Sequence, residues 1–299
     1  MDALTVDRQG GKSIDLFLDT LMDASLKDER STMEFPFFSI QKTPRRQPVE
    51  YSNGSVSIRI EPGQRGMATI WDKDVLIYCA SILNDKLERG APVERTLTIP
   101  AYDLLKVCRR GTGKAAYQRL YNALVRLRST TILTNILANG EAEDRGFGWI
   151  DDFRTVRNSR GTMIALEITL SRWVFNSVVR DRRILTINPG YFDLTKGLAR
   201  RLYELARKHC GHQPEWKISL EKLAAKCGSS SDIRQFRAEI SQISKESGAL
   251  PEYDMTLEFD PARRREMVAT FGPRAGIRYR HNARANVIFT PRGGRSGCG

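Results

Sequence analysis

The chain has 299 residues, 40% of them apolar, enough for two compact domains with cores of their own and too apolar for an intrinsically disordered polymer. Lys and Arg total 48 against 35 Asp and Glu, a formal charge of +13 that marks a polyanion binder, although ribosome-associated and membrane-surface proteins share it. No apolar run is long enough to cross a bilayer, and the first thirty residues hold no unbroken apolar core like a signal peptide's, so a soluble, cytoplasmic protein without a membrane partner is expected.

Residues 13–29, SIDLFLDTLMDASLKDE, place Ile14, Leu18, Leu21 and Met22 at helical spacing on an acidic background. They predict an amphipathic helix whose charge keeps it off DNA, and residues 1–33 read as an arm that packs on the body or meets a partner. MEFPFFSIQKTPRRQP (33–48), with three prolines, predicts an extended linker able to clip onto a first domain over 34–172. SVSIRIEPG alternates as a strand. WDKDVLIYCASILNDKLERG (71–90) predicts a helix with Asp72 and Asp74 at its start and Gly90 beyond its end. A short strand, RTLTIP, and a short helix, AYDLLKVC, come next. A helix over 114–127 follows, and then the strands TTILTNIL, FGWIDDFRTV and TMIALEITL, with turns at NGEAEDRG and NSRG. Helix, short strand, helix, helix and strand hairpin is the order of a winged helix, whose third helix enters the DNA major groove and whose hairpin lies on phosphates. The hairpin of residues 145–170 could hold phosphate through Arg154, Arg157 and Arg160, or form a dimerisation sheet.

The stretch CRRGTGKAAYQRLYNALVRL (108–127) contains GTGK, which invites a phosphate-loop reading. That loop needs a Gly at the place of Cys108 and a hydroxyl at the place of Ala115, and it follows a strand, whereas a helix precedes it here. Gly111 is instead expected to end one helix and Thr112 to cap the next, with Lys114 solvated and the helix N-terminus suited to a DNA phosphate. On a helical wheel Tyr117, Leu120, Tyr121 and Leu124 face inward. Gln118, Arg119, Asn122 and Arg126 then face outward, all of them side chains able to contact base edges or phosphate.

The second half repeats the plan over 173–272, through KGLARRLYELARKHCG, WKISLEKLAAKCG, SSDIRQFRAEISQISKESG and LPEYDMTLEF. A constant shift of 119 positions carries Ile99 to Ile218, Leu104 to Leu223, Cys108 to Cys227, Tyr117 to Phe236, Tyr121 to Ile240 and Leu124 to Ile243, which suggests an internal duplication. With Phe236, Ile240 and Ile243 inward, the second copy turns Arg234, Arg237, Ser241 and Lys245 outward. Residues 273–299 bring Arg274, Arg278, Arg280, Arg284, Arg292 and Arg295 without an acid, and read as a flexible basic tail with a sequence-blind hold on phosphate. The predicted fold class is therefore α+β, with two winged-helix domains in tandem.

The five cysteines are odd in number and widely spaced, as expected of reduced thiols, and the spacing of His209, Cys210, His212 and Cys227 matches no common zinc module. No metal, cofactor or catalytic residue is expected. His209 and His212 also lack the His-apolar-His spacing of a DNA-nicking initiator, and no aromatic RNA-binding strand motif is present.

The runs MEFPFFSIQKTPRR, YSNGSVSIRIEP, IWDKDVLIYCASIL, LTKGLARRLYELARKHCG and WKISLEKLAAKCG resemble the plasmid replication initiator protein A family, over roughly residues 33–272. The resemblance implies binding of double-stranded DNA at repeated sites (iterons) of a plasmid origin and melting of an A·T-rich segment. It also implies recruitment of the host chromosomal initiator and replicative helicase, a monomer that starts replication, and a homodimer that represses its own gene. A tandem winged-helix repressor without an origin role is the alternative.

Overall fold

The computed structural model describes residues 19–21, 25–54, 56–136, 145–211, 213–246, 248–259, 265, 269–270 and 285–292. In chain order, β1 (Lys27–Glu29) and the single turn α1 (Arg30–Glu34) precede a hairpin of β2 (Val49–Asn53) and β3 (Val56–Glu61). Next come α2 (Lys73–Glu88), β4 (Thr96–Pro100), α3 (Ala101–Val107), α4 (Lys114–Ser129), β5 (Thr131–Thr134), β6 (Arg145–Phe147), β7 (Ile150–Arg157) and β8 (Met163–Leu170). After α5 (Arg172–Val179), β9 (Ile184–Thr186) and a 3-10 turn at Pro189–Asp193 run α6 (Gly197–His209), β10 (Trp216–Ser219), α7 (Leu220–Cys227), α8 (Ile233–Lys245), β11 (Tyr253–Phe259) and β12 (Ala285–Pro291).

The chain forms two compact units, Met1–Glu29 with Thr43–Ile187, and Arg30–Lys42 with Asn188–Gly299. The second therefore starts at Asn188 and not at residue 173. The MEFPFF stretch belongs to it instead of linking into the first unit, because Phe37 and Met33 are fully buried and the α1 carbonyls are held by Arg201 of α6.

In the first unit α2 is the central element. Every residue from Lys73 to Asp85 is buried, in keeping with a sequence that is apolar nearly all round after its first turn. Each fully buried Val, Leu or Ile there contributes about 1.5–3 kcal/mol. An antiparallel sheet ordered β4-β8-β7 and a second ordered β2-β3-β5-β6 complete the unit. Lys27–Glu29, expected at the end of an acidic helix, are instead β1, paired antiparallel with β9; residues 13–18 and 22–24 of that expected helix lie outside the described residues.

The second unit runs helix, strand, helix, helix, strand, strand from α6, and the first runs helix, strand, helix, helix and then four strands from α2. The sheet of the second unit is ordered β10-β12-β11, so in both units the first strand pairs with the last. The central strand β12 comes from residues 285–291, so this part of the segment expected to be a flexible tail is a sheet strand, while 273–284 and 293–299 lie outside the described residues. Ala285, Val287 and Phe289 alternate inward and are buried, a period-two pattern that the surrounding arginines obscured. Arg292 is likewise no free phosphate holder, since its guanidinium binds Asp254 and the carbonyls of Leu250 and Tyr253. Arg274, Arg278, Arg280, Arg284 and Arg295 lie outside the described residues.

Candidate nucleic-acid interface

The turn before α4 is built differently from the sequence-based expectation. Arg109, not Gly111, takes the left-handed conformation (φ 52°) that ends α3, with the Arg110 amide donating to Leu105 O at 2.7 Å in a Schellman closure. Gly113, not Thr112, is the N-cap of α4, and no side chain caps it; the Ala116 amide turns back to Gly113 O at 2.8 Å, which leaves the Lys114 and Ala115 amides for solvent or an anion. Thr112 and Lys114 are exposed beside that end.

Along α4 the buried residues are Ala116, Leu120, Ala123, Leu124 and Leu127. Tyr117 and Tyr121, expected inside, stay half-exposed, and the Tyr121 ring meets Phe153 of β7 edge-on at 5.9 Å. Outward, Gln118 and Arg119 are exposed and Asn122 is partly so. Arg126 does not join them: its Nε and Nη2 each donate at 2.7 Å to the Asp72 carboxylate, and its side chain is 15% exposed. The WDKD run explains this. Placed at the buried start of α2, its three charges each need a partner, and they find Arg126 for Asp72, Asp28 at 2.7 Å for Lys73 and Arg110 for Asp74. Arg126 is thus a structural cation.

A residue the sequence did not single out, Arg65, completes the face. It is exposed in the turn after β3, its guanidinium donates to Asn122 Oδ1, and it lies 5.9 Å over the Tyr121 ring. Fifty-seven residues separate it from Asn122, so no local periodicity could have linked them. On the β7–β8 hairpin, Arg154 pairs with Glu167 at 2.6 Å across the strands and Arg157 donates to Gly161 O at 2.9 Å, while Arg160 is exposed in the turn. The Arg154 pair is exposed and so holds little energy, leaving the guanidinium exchangeable to a phosphate.

In α8 the expected inward set is found, with Phe236, Ile240 and Ile243 buried. Arg234 and Lys245 are exposed and Ser241 is half-exposed. Arg237 is half-buried, and desolvation lowers its pKa against the opposing pull of Glu221. Asp232 caps α8 through the amides of Arg234 and Gln235, both at 2.9 Å, so a carboxylate stands at the end where α4 has none.

Cys210 and Cys227 are buried, His209 stacks on Trp216 at 4.5 Å and pairs with Glu34 at 3.0 Å, and His212 is outside the described residues. Among the described residues no helix is long and apolar enough to cross a membrane.

Comparison with known proteins places this arrangement. A "Putative replication protein" of Wigglesworthia glossinidia brevipalpis is 33% identical over 241 residues, covering 79% of this chain and 86% of the relative. The fold is similar to a crystal structure of domains 2 and 3 of RctB (selenomethionine form), with a TM-score of 0.60 at 12% identity over 87% of this chain and 97% of that one. A second structure of the same domains gives a TM-score of 0.54, also at 12% identity, over 85% and 94%. Residues 27–255 match the family described as Replication initiator protein A, and the chain belongs to that family.

Proposed function

We propose that the chain is a plasmid replication initiator that binds repeated origin sites through two winged helices and opens an adjacent A·T-rich segment. The observation that carries the reading is α4: sixteen residues without one acid, with Lys114, Gln118 and Arg119 exposed and an uncapped N-terminus. A solvated helix normally mixes charge signs, whereas a face of donors and amides suits phosphate and base edges. The shared element order of the two units supports an internal duplication, with α8 as the second reading helix. Two modules on one chain raise the effective concentration of the second once the first is bound. The protein is read as a binding protein without catalytic residues or cofactor, with its own homodimer, the host initiator and the replicative helicase as partners.

The test is footprinting of the full chain on its own plasmid, with competitor DNA and no nucleotide. Regularly spaced protected repeats beside an A·T-rich tract are expected. A single protected operator at a promoter would instead establish the repressor reading, and no specific protection would return α4 to an ordinary solvated helix.

A further inference from the structure

Arg65 is held where it stands by close packing. The turn after β3 is closed by the Gly66 amide donating to Gly63 O at 2.9 Å. Gly63 lies against Ser129 at the end of α4 so tightly that a Cβ there would sit 2.9 Å from the Ser129 carbonyl oxygen. At Gly66, with φ +81°, a Cβ would fall 2.6 Å from Pro44 Cβ. Neither position has room for a side chain, so the turn has one seat on α4, and that seat aims Arg65 at Asn122 and Tyr121.

The chemistry of the contact fixes the direction of Asn122. A guanidinium has donors only, so the amide oxygen of Asn122 must face it and the NH2 must turn away. Gln118 Nε2 also donates to the same Oδ1, at 3.3 Å. An asparagine reads adenine by offering both its oxygen and its NH2 to the N6 and N7 edge; with the oxygen engaged by two donors, only the NH2 is left. The purine edge that accepts two hydrogens is guanine, through O6 and N7.

Resting on the reading of α4 as a DNA-contacting helix, we propose that Arg65 is a specificity-determining residue that holds Asn122 as a pure donor and so makes α4 select guanine over adenine at the base it faces. The test is selection from a pool of randomised duplex oligonucleotides by the full chain, by Arg65→Ala and by Asn122→Ala. Asn122→Ala identifies the position, as the one whose preference disappears. The native chain should enrich guanine there, and Arg65→Ala, which leaves Oδ1 only the longer contact from Gln118 and so an acceptor site open, should move the guanine-to-adenine ratio towards adenine by roughly tenfold. Arg65 is exposed in a turn, and circular dichroism of the variant checks that the fold is kept. Uniformly weaker binding by Arg65→Ala with the guanine preference intact would demote Arg65 to a phosphate contact and overturn the inference while leaving α4 as a DNA reader. Adenine enrichment by the native chain, or no position lost in Asn122→Ala, overturns it as well. No enriched sequence at all would overturn this inference together with the DNA-binding reading beneath it.

Discussion

Arg119 and Arg126 stand on one helix yet answer to different chemistry, and substitution separates them. Arg119 is exposed with no acid beside it on α4, so Arg119→Ala should leave the unfolding midpoint in place and cost about 1–3 kcal/mol of specific binding if the residue reads a base. Competition binding against non-specific DNA measures that difference. Arg126→Ala should do the reverse, because it strands the buried Asp72 carboxylate; a loss of about 3 kcal/mol in a denaturant titration is expected, with base preference retained. A second residue-scale effect concerns Glu34, which faces Lys226, His209 and Lys208. Burial works to raise its pKa, but hydrogen bonds from His209 and Lys226 outweigh it and hold the carboxyl well below the usual range. A depressed folded value means the stabilisation is complete above the unfolded carboxylate pKa of about 4.3 and is lost as pH falls from there towards the folded value. Denaturation midpoints measured from pH 6 downward should therefore fall below about pH 4.3, and Glu34→Gln should flatten that acid limb.

At the scale of elements, α3 and α7 end in the same closure at equivalent places, but one uses Arg109 (φ 52°) and the other Gly228 (φ 63°). A left-handed non-glycine costs about 1–2 kcal/mol, so Arg109→Gly should raise the melting temperature by a few degrees. Gly228→Ala should lower it by more than the mirror amount, since its Cβ would also press to 2.9 Å from Pro36 Cβ. These paired closures mark how far the sequence register could be read. The shift of 119 holds from Ile99 and Ile218 through Cys108 and Cys227, all buried. It still relates the starts of α4 and α8, Lys114 and Ile233, but within these helices, of 16 and 13 residues, it pairs the half-exposed Tyr117 and Tyr121 with the buried Phe236 and Ile240. The buried Leu120, Leu124 and Leu127 correspond to Phe236, Ile240 and Ile243 at a shift of 116. A helix brings residues three apart onto nearly the same face, so a wheel that put Tyr117, Leu120, Tyr121 and Leu124 all inward could not choose between the two shifts. Element types and order were legible because they follow from periodicity and turn residues. The partners of Arg126 and Arg65 were not, because they depend on which distant segment comes to lie beside α4.

For the whole molecule, the consequence that composition hid is the threading of the chain: it enters the second unit at Arg30, leaves at Lys42 and returns only at Asn188. Arg201 shows what this segment does inside that unit. Its side chain is 3% exposed, and its guanidinium donates to the carbonyls of Thr32 and Met33 at 3.0 Å, to Glu34 O at 3.0 Å, to Lys226 O at 2.8 Å and to Glu204 at 2.9 Å. The fork thus gathers the open C-terminal carbonyls of α1 and α7 around one buried cation, which is why LARRLYEL carries arginines at positions that a wheel would leave to solvent. A fragment cut at the apparent boundary, residues 188–299, lacks α1 and with it three of those acceptors, as well as the buried Met33, Phe37 and Phe38. Leaving a buried charge short of partners costs several kcal/mol, about as much as a small domain's whole stability. The fragment should therefore be expanded and poorly protected in hydrogen exchange. Adding a peptide of residues 30–42 in trans should restore protection across α6 and α7, and the same peptide with Met33 and Phe37 changed to Ala should not. A fragment that folds cooperatively without the peptide would show that the early segment is an accessory cover and not a part of this core.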